Sequence, residues 1–221
     1  MPAPCPPIQR HPLPYVTALQ LRPLDTITLA VIHCTELPDL ATARTYGERV
    51  LYPSGTGNSG HYYIDRNGHI EQYVPPERIA HHVRNQNAHT LGIELVNRGR
   101  YPHWLDTRHQ TMDEPYPAAQ IQALIALLTW LTHTLPALNS IAGHDTLDTE
   151  HVPASNDPTQ LVPRKHDPGP LFPLGSHQCS TTTLTAPDNL NTSTTATTST
   201  AKATTHVVTP PSGGGTWHFL A

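Results

Sequence analysis

Thr26-Ile27-Thr28-Leu29-Ala30-Val31-Ile32-His33-Cys34 is the stretch on which the fold turns. It is β-branched and apolar with little interruption until His33, and reads as a central strand covered on both faces, as in parallel sheets packed by helices. The histidine stands where the apolar run stops, at the carboxyl end. Side chains alternate along a strand, so Cys34 faces away from His33, toward packing.

Outward from this strand, helical and extended patterns alternate. Residues 39–51 carry apolar side chains at helical spacing, at Leu40, Ala43, Tyr46 and Val50. Ser54-Gly55-Thr56-Gly57-Asn58-Ser59-Gly60 is a loop; no Gly-Lys-Ser/Thr follows that would turn its glycines into a phosphate cradle. Residues 61–65 and 69–74 alternate as a hairpin around Arg66-Asn67-Gly68, whose Asn-Gly pair tolerates the positive φ such a turn needs. Leu91-Gly92-Ile93-Glu94-Leu95-Val96 is a further strand. From residue 117 to 135, Ile121, Leu124, Ile125, Leu128, Leu131 and Leu135 mark a helix bracketed by Pro117 and Pro136, suited to covering a sheet. Asn139-Ser140-Ile141-Ala142-Gly143 is the next strand, ending at His144. The fold class expected is α/β: a single domain with a central mixed sheet flanked by helices.

Composition narrows the function classes. The 221 residues suffice for one sizeable domain and a tail. A net charge of −4 offers no basic stripe for nucleic acid. Three scattered cysteines (Cys5, Cys34, Cys179) make no disulfide framework. No apolar run is long enough to span a membrane. The first residues are proline-rich and lack an apolar core, so no signal peptide is expected and a cytoplasmic location follows, with the periplasm open if the chain starts further upstream. Residues 1–25 read as a proline-rich lead-in wrapping the surface, 26–175 as the domain, and 176–221 as a threonine- and serine-rich tail expected to be disordered. Within that tail, Trp217-His218-Phe219-Leu220 is a short apolar patch able to dock on the domain.

Two strand-end histidines, His33 and His144, together with Asp167 supply two nitrogens and one oxygen, a set suited to a catalytic zinc with its fourth position open. Ligands in such sheets gather at the carboxyl ends of strands. Taken singly, either histidine reads more readily as a surface or packing residue than as a ligand; the pair at equivalent strand ends raises the case for a metal to even. Glu94, alone among apolar neighbours, is either poised for proton transfer or turned to an exposed face. Lys165, two residues before Asp167, shares its side in an extended segment and could stabilise an oxyanion, or be a plain surface lysine. His151 and His166 are substitute ligands ranked below Asp167.

Five blocks then resemble, in order, the type-2 zinc N-acetylmuramoyl-L-alanine amidases: Val31-Ile32-His33-Cys34-Thr35, Ser59-Gly60-His61-Tyr62, Leu91-Gly92-Ile93-Glu94-Leu95, Ile141-Ala142-Gly143-His144 and Arg164-Lys165-His166-Asp167-Pro168-Gly169-Pro170. The resemblance covers roughly residues 26–173; phage amidase-type lysozymes and peptidoglycan-recognition proteins are more distant relatives. It implies zinc held by His33, His144 and Asp167, Glu94 activating the water, and Lys165 stabilising the tetrahedral oxyanion. Distant relatives carry tyrosine where Gly60 stands, so this chain resembles the bacterial cell-wall recycling branch. His82, in Ala80-His81-His82-Val83, matches the histidine of a Trp-His-Ala-Gly motif with a substrate-pocket role. The resemblance implies peptidoglycan fragments (muropeptides) as partners, cleaved between N-acetylmuramic acid and L-alanine. The alternative is a non-catalytic peptidoglycan-binding module; the full ligand set together with Glu94 and Lys165 favours the enzyme.

Overall fold

The computed structural model describes residues 3–173 and the backbone of 206–208 and 217–219. In chain order the elements are β1 (Ile8–Arg10), β2 (Leu29–Cys34), α1 (Leu40–Gly47), β3 (Tyr62–Ile64), β4 (Ile70–Gln72), β5 (Thr90–Leu95), α2 (Ala118–Thr134), β6 (Ser140–Gly143), α3 (His144–Leu147), β7 (His151–Pro153), β8 (Leu161–Pro163), β9 (His206–Val208) and β10 (Trp217–Phe219). One mixed sheet runs in the order β1-β4-β3-β5-β2-β6-β10-β9, and β7 and β8 pair separately. The apolar stretch that decides the fold is indeed central: β2 lies parallel between β5 and β6.

Alternation along the central strands divides the two faces. Ala30 and Ile32 of β2, Leu91, Ile93 and Leu95 of β5, and Tyr62 and Ile64 of β3 pack with Leu124, Leu127, Leu128 and Leu131 of α2. On the opposite face Tyr63 joins a second cluster with Ala43 of α1 and with Leu13, Tyr15 and Leu19. Helices therefore cover both faces, and the chemistry-bearing residues of the two central strands, His33 of β2 and Glu94 of β5, turn away from α2. Cys34 is buried on the α2 side, its thiol donating to Asn97 O at 3.3 Å.

Several boundaries differ from the sequence expectation. Helix α1, opened by Asp39 accepting from Thr42 N at 2.7 Å, stops at Gly47. Val50, expected to continue its apolar face, is 60% exposed, and Leu51, the last residue of the expected segment, is 57% exposed. The proline-rich lead-in adds an edge strand parallel to β4 and buries Leu13, Tyr15 and Leu19. Its prolines conceal this, because they break every periodic pattern. In the threonine-rich tail, β10 lies parallel beside β6 and pairs antiparallel with β9. The rest of the tail, and with it the expectation of disorder there, lies outside the described residues. Among the described residues no helix is long and apolar enough to cross a membrane.

Candidate metal centre and catalytic cleft

Sheet register assembles the site. His33 lies opposite Glu94 in the β2–β5 pair, and Glu94 opposite Tyr63 in the β5–β3 pair. Register partners of parallel strands share a face, so these three side chains stand in a row. On the other side Ile32 lies opposite Gly143, the last residue of β6. The chain therefore leaves β6 beside the end of β2, and His144 opens α3 next to His33. Asp145 N then donates to Asp167 O at 2.9 Å, which draws the third residue in from a distant segment.

The three converge closely. His33 Nδ1 and His144 Nδ1 are 3.0 Å apart, and each is 3.1 Å from Asp167 Oδ2. Each residue is only 2% exposed. Burial, reinforced by His144, pushes the His33 imidazole down to about 4, so it is neutral at pH 7 with a lone pair to give. Burial alone would raise Asp167, but His144 and His33 outweigh it and hold the carboxyl well below its ordinary range. Asp167 Oδ1 and His144 Nε2 are buried without a hydrogen-bond partner among the described residues. Unpartnered buried polar atoms are costly unless something else satisfies the cluster. Two imidazole nitrogens and one carboxylate oxygen at this spacing fit a zinc ion with one coordination position left open.

Glu94 projects beside this group. Burial, then the charge of Asp167, pushes its carboxyl up to about 8, with Lys165 opposing. Room for it depends on Gly60, since a Cβ there would stand 2.7 Å from Glu94 Cγ. The glycine that closes the 54–60 loop is thus a packing requirement. Gly60→Ala is expected to displace Glu94 and lower kcat about tenfold or more with zinc content unchanged, since small misplacements of a reacting group are expensive. Parallel kcat and metal measurements check this, and wild-type turnover in the variant would refute it.

Lys165 and the segment around it are held from several sides. Arg164 pairs with Asp148, and its Nε lies 3.1 Å from Glu150 Oε2. Tyr116 donates to Pro168 O at 2.7 Å. Arg100 donates to Glu36 at 2.7 and 2.9 Å and to Pro163 O at 2.9 Å, tying the end of β2 to β8. His33, Glu94, Lys165 and Asp167 line one cleft of about 900 Å³, whose walls include Tyr46, Tyr52 and Trp104. His82 lines it too, but its ring nitrogens turn to His33 and Thr90, at 3.0 and 3.1 Å. His151 is exposed, its Nδ1 3.1 Å from Thr149 O, and neither it nor His166 joins the three converging residues.

Sequence reasoning missed the Glu36–Arg100 pair, Thr90, and the part played by His61. The last is fully buried, with Nδ1 accepting from Gly92 N at 3.0 Å. The one sequence signal for Glu36 is its place three residues after His33, at the exit of the central strand; the structure adds a φ of 50° there.

The family model described as N-acetylmuramoyl-L-alanine amidase matches residues 23–170. Over 113 residues the chain is 34% identical to N-acetylmuramoyl-L-alanine amidase AmiD of Escherichia coli (strain K12), covering 47% of this chain and 35% of that protein. The match thus spans about a third of that relative's length. Its fold is similar to a solved AmpD structure, with TM-score 0.51 and 27% identity over 75% of this chain and 89% of the other. It is also similar to the endolysin amidase LysCS from Clostridium intestinale URNW, with TM-score 0.51 and 19% identity over 77% and 92% of the two chains, a likeness of fold alone.

Proposed function

Since this chain belongs to the N-acetylmuramoyl-L-alanine amidase family, we propose that it is a zinc-dependent hydrolase cleaving the amide between the lactyl group of N-acetylmuramic acid and L-alanine. The observation that carries this reading is the convergence of His33, His144 and Asp167 with Glu94 in register beside them. The substrate form proposed is the free anhydro-muropeptide. Support comes from the glutamate-with-glycine arrangement at Glu94 and Gly60, in keeping with the bacterial recycling branch.

His33, His144 and Asp167 would hold the metal. Bound there, zinc supplies a Lewis acid for the scissile carbonyl and lowers the pKa of water to about 7. Glu94 takes a proton from the attacking water as its oxygen bonds to the carbonyl carbon. The Lys165 ammonium faces the oxyanion that develops. When the carbon–nitrogen bond breaks, Glu94 returns the proton to the leaving amine of L-alanine. One water is consumed, giving a free carboxylic acid and a free amine. Burial and the charge of Asp167 raise the Glu94 carboxyl in the metal-free chain, and a cation held by His33, His144 and Asp167 would oppose that rise, leaving a carboxylate able to take the proton and return it. The aromatic walls and roughly 900 Å³ of the cleft are adequate for a sugar with its first peptide residues.

Lys165→Ala is expected to retain zinc and lose kcat by about 10- to 100-fold, the scale of one lost oxyanion contact or somewhat less. The assay is mass spectrometry of anhydro-muropeptide and of intact peptidoglycan incubated with each protein. Cleavage by wild type at the lactyl–alanine bond supports the reading. Tight binding without cleavage would favour the peptidoglycan-binding module instead.

A further inference from the structure

The contacts behind His33 settle where its proton lies. Thr90 Oγ1 is 3.0 Å from Gln86 O and 3.1 Å from His82 Nε2. A carbonyl oxygen only accepts, so the single hydroxyl hydrogen goes to Gln86. His82 Nε2 must then be the donor to Thr90. The ring contacts His33, His61 and Thr90, and no carboxylate pairs with it among the described residues to favour an imidazolium, so the neutral ring leaves its Nδ1 as a bare acceptor. His33 Nε2 lies 3.0 Å from that Nδ1 and therefore carries a hydrogen. The remaining nitrogen, His33 Nδ1, is the one facing His144 and Asp167, and it is left with its lone pair free.

We propose that His82, oriented by Thr90, is a positioning residue that holds His33 in the Nε2–H tautomer and so presents Nδ1 to the metal. This rests on the zinc reading above in its second half only; the tautomer itself follows from the hydrogen bonds. His82 is built in for the task. Its backbone N and that of Val83 both donate to Asn87 Oδ1, at 3.0 and 2.9 Å. Its ring lies against Gly92, where any Cβ would come within 2.6 Å of His82 Cγ. His144 has no such support, since its Nε2 is buried and unpartnered among the described residues. The protein thus pre-sets one imidazole ligand and leaves the other to be set otherwise. Partners of ligating histidines commonly act in this way, and their loss typically costs about 10- to 100-fold in metal affinity.

Two measurements test the proposal. Long-range proton–nitrogen correlation spectra of the metal-free wild-type protein should show both His33 and His82 as Nε2–H tautomers; a His33 Nδ1–H tautomer would overturn it. Zinc affinity is then measured by competition with a chromogenic chelator. His82→Phe, which keeps a ring and removes the acceptor, should bind about 10- to 100-fold more weakly. Thr90→Val, which frees the His82 tautomer, should also bind more weakly. His82→Asn, whose side-chain oxygen can accept where Nδ1 did, should recover most of the affinity. Equal affinity in wild type and His82→Phe would overturn the proposal, as would His82→Asn binding no better than His82→Phe, which would mean that only packing matters. Failure of the wild type itself to bind zinc would sink the metal reading, while the spectra would still decide the tautomer.

Discussion

His144→Ala is expected to lose both tight zinc binding and turnover, and His33→Ala should behave alike. Each removes one of only two nitrogen donors in a three-residue set, and the 3.0–3.1 Å triangle has no neighbour among the described residues placed to take over. His151 and His166, the nearest candidates along the chain, stand apart from it. A metal acting on a carbonyl lowers the barrier by several kcal/mol, so its loss corresponds to a fall in rate of about 10³-fold or more. Zinc content after dialysis and kcat on anhydro-muropeptide are the readouts. Full zinc occupancy in either variant would remove that histidine from the site.

Glu94→Gln is expected to keep zinc and lower kcat by about 10²-fold or more, the usual scale for a lost general base. The same substitution should stabilise the metal-free protein at alkaline pH. The Glu94 carboxyl sits near 8 in the folded chain against an ordinary value of 4.5, because burial and the charge of Asp167 disfavour its ionised form. The folded state therefore holds this proton longer than the unfolded state does. Stability is lost as pH rises from 4.5 through about 8. Glutamine has no proton to lose, so the variant's Tm should exceed that of wild type at pH 8.5 in the presence of chelator. The two should converge near pH 5. A Tm difference that ignores pH would mean Glu94 is not strained by burial, and wild-type turnover would show that another group is the base.

How much of this could be read from residues alone differs from element to element. The central strand was legible because eight apolar or β-branched residues precede or follow His33 without a helical period, and a strand so uniform has to be covered on both faces. Helix α2 was legible from its leucine spacing and the prolines around it. The lead-in was not, because Leu13, Tyr15 and Leu19 are separated by prolines and irregular turns, and their burial depends on partners such as Tyr63 and Tyr73 far along the chain. Likewise α1 was drawn too long. Its spacing continues to Val50, but the helix ends at Gly47 and the chain turns back, Leu51 N and Tyr52 N donating to Thr56 O and Gly57 lying against Arg49 O.

At the site, His33, Glu94, His144, Lys165 and Asp167 could be nominated because each interrupts a pattern: a polar group ending or splitting an apolar run, or a cation paired in spacing with an acid. That three of them meet at a single point is a matter of strand order. It required β2 to lie between β5 and β6, which no local pattern specifies. His82 and Thr90 interrupt nothing. Their contacts emerge only from the hydrogen-bond geometry, whereas the substrate-pocket role expected for His82 comes from its match to the Trp-His-Ala-Gly histidine.

The most direct test of the central claim is metal depletion and repletion with the product followed. Protein stripped with a strong chelator, then dialysed, should leave anhydro-muropeptide intact. Addition of one equivalent of zinc should restore cleavage, with mass spectrometry showing a free muramic acid carboxyl and a peptide beginning at L-alanine. Undiminished cleavage by the stripped protein, or cleavage at any other bond after zinc is returned, would contradict the account.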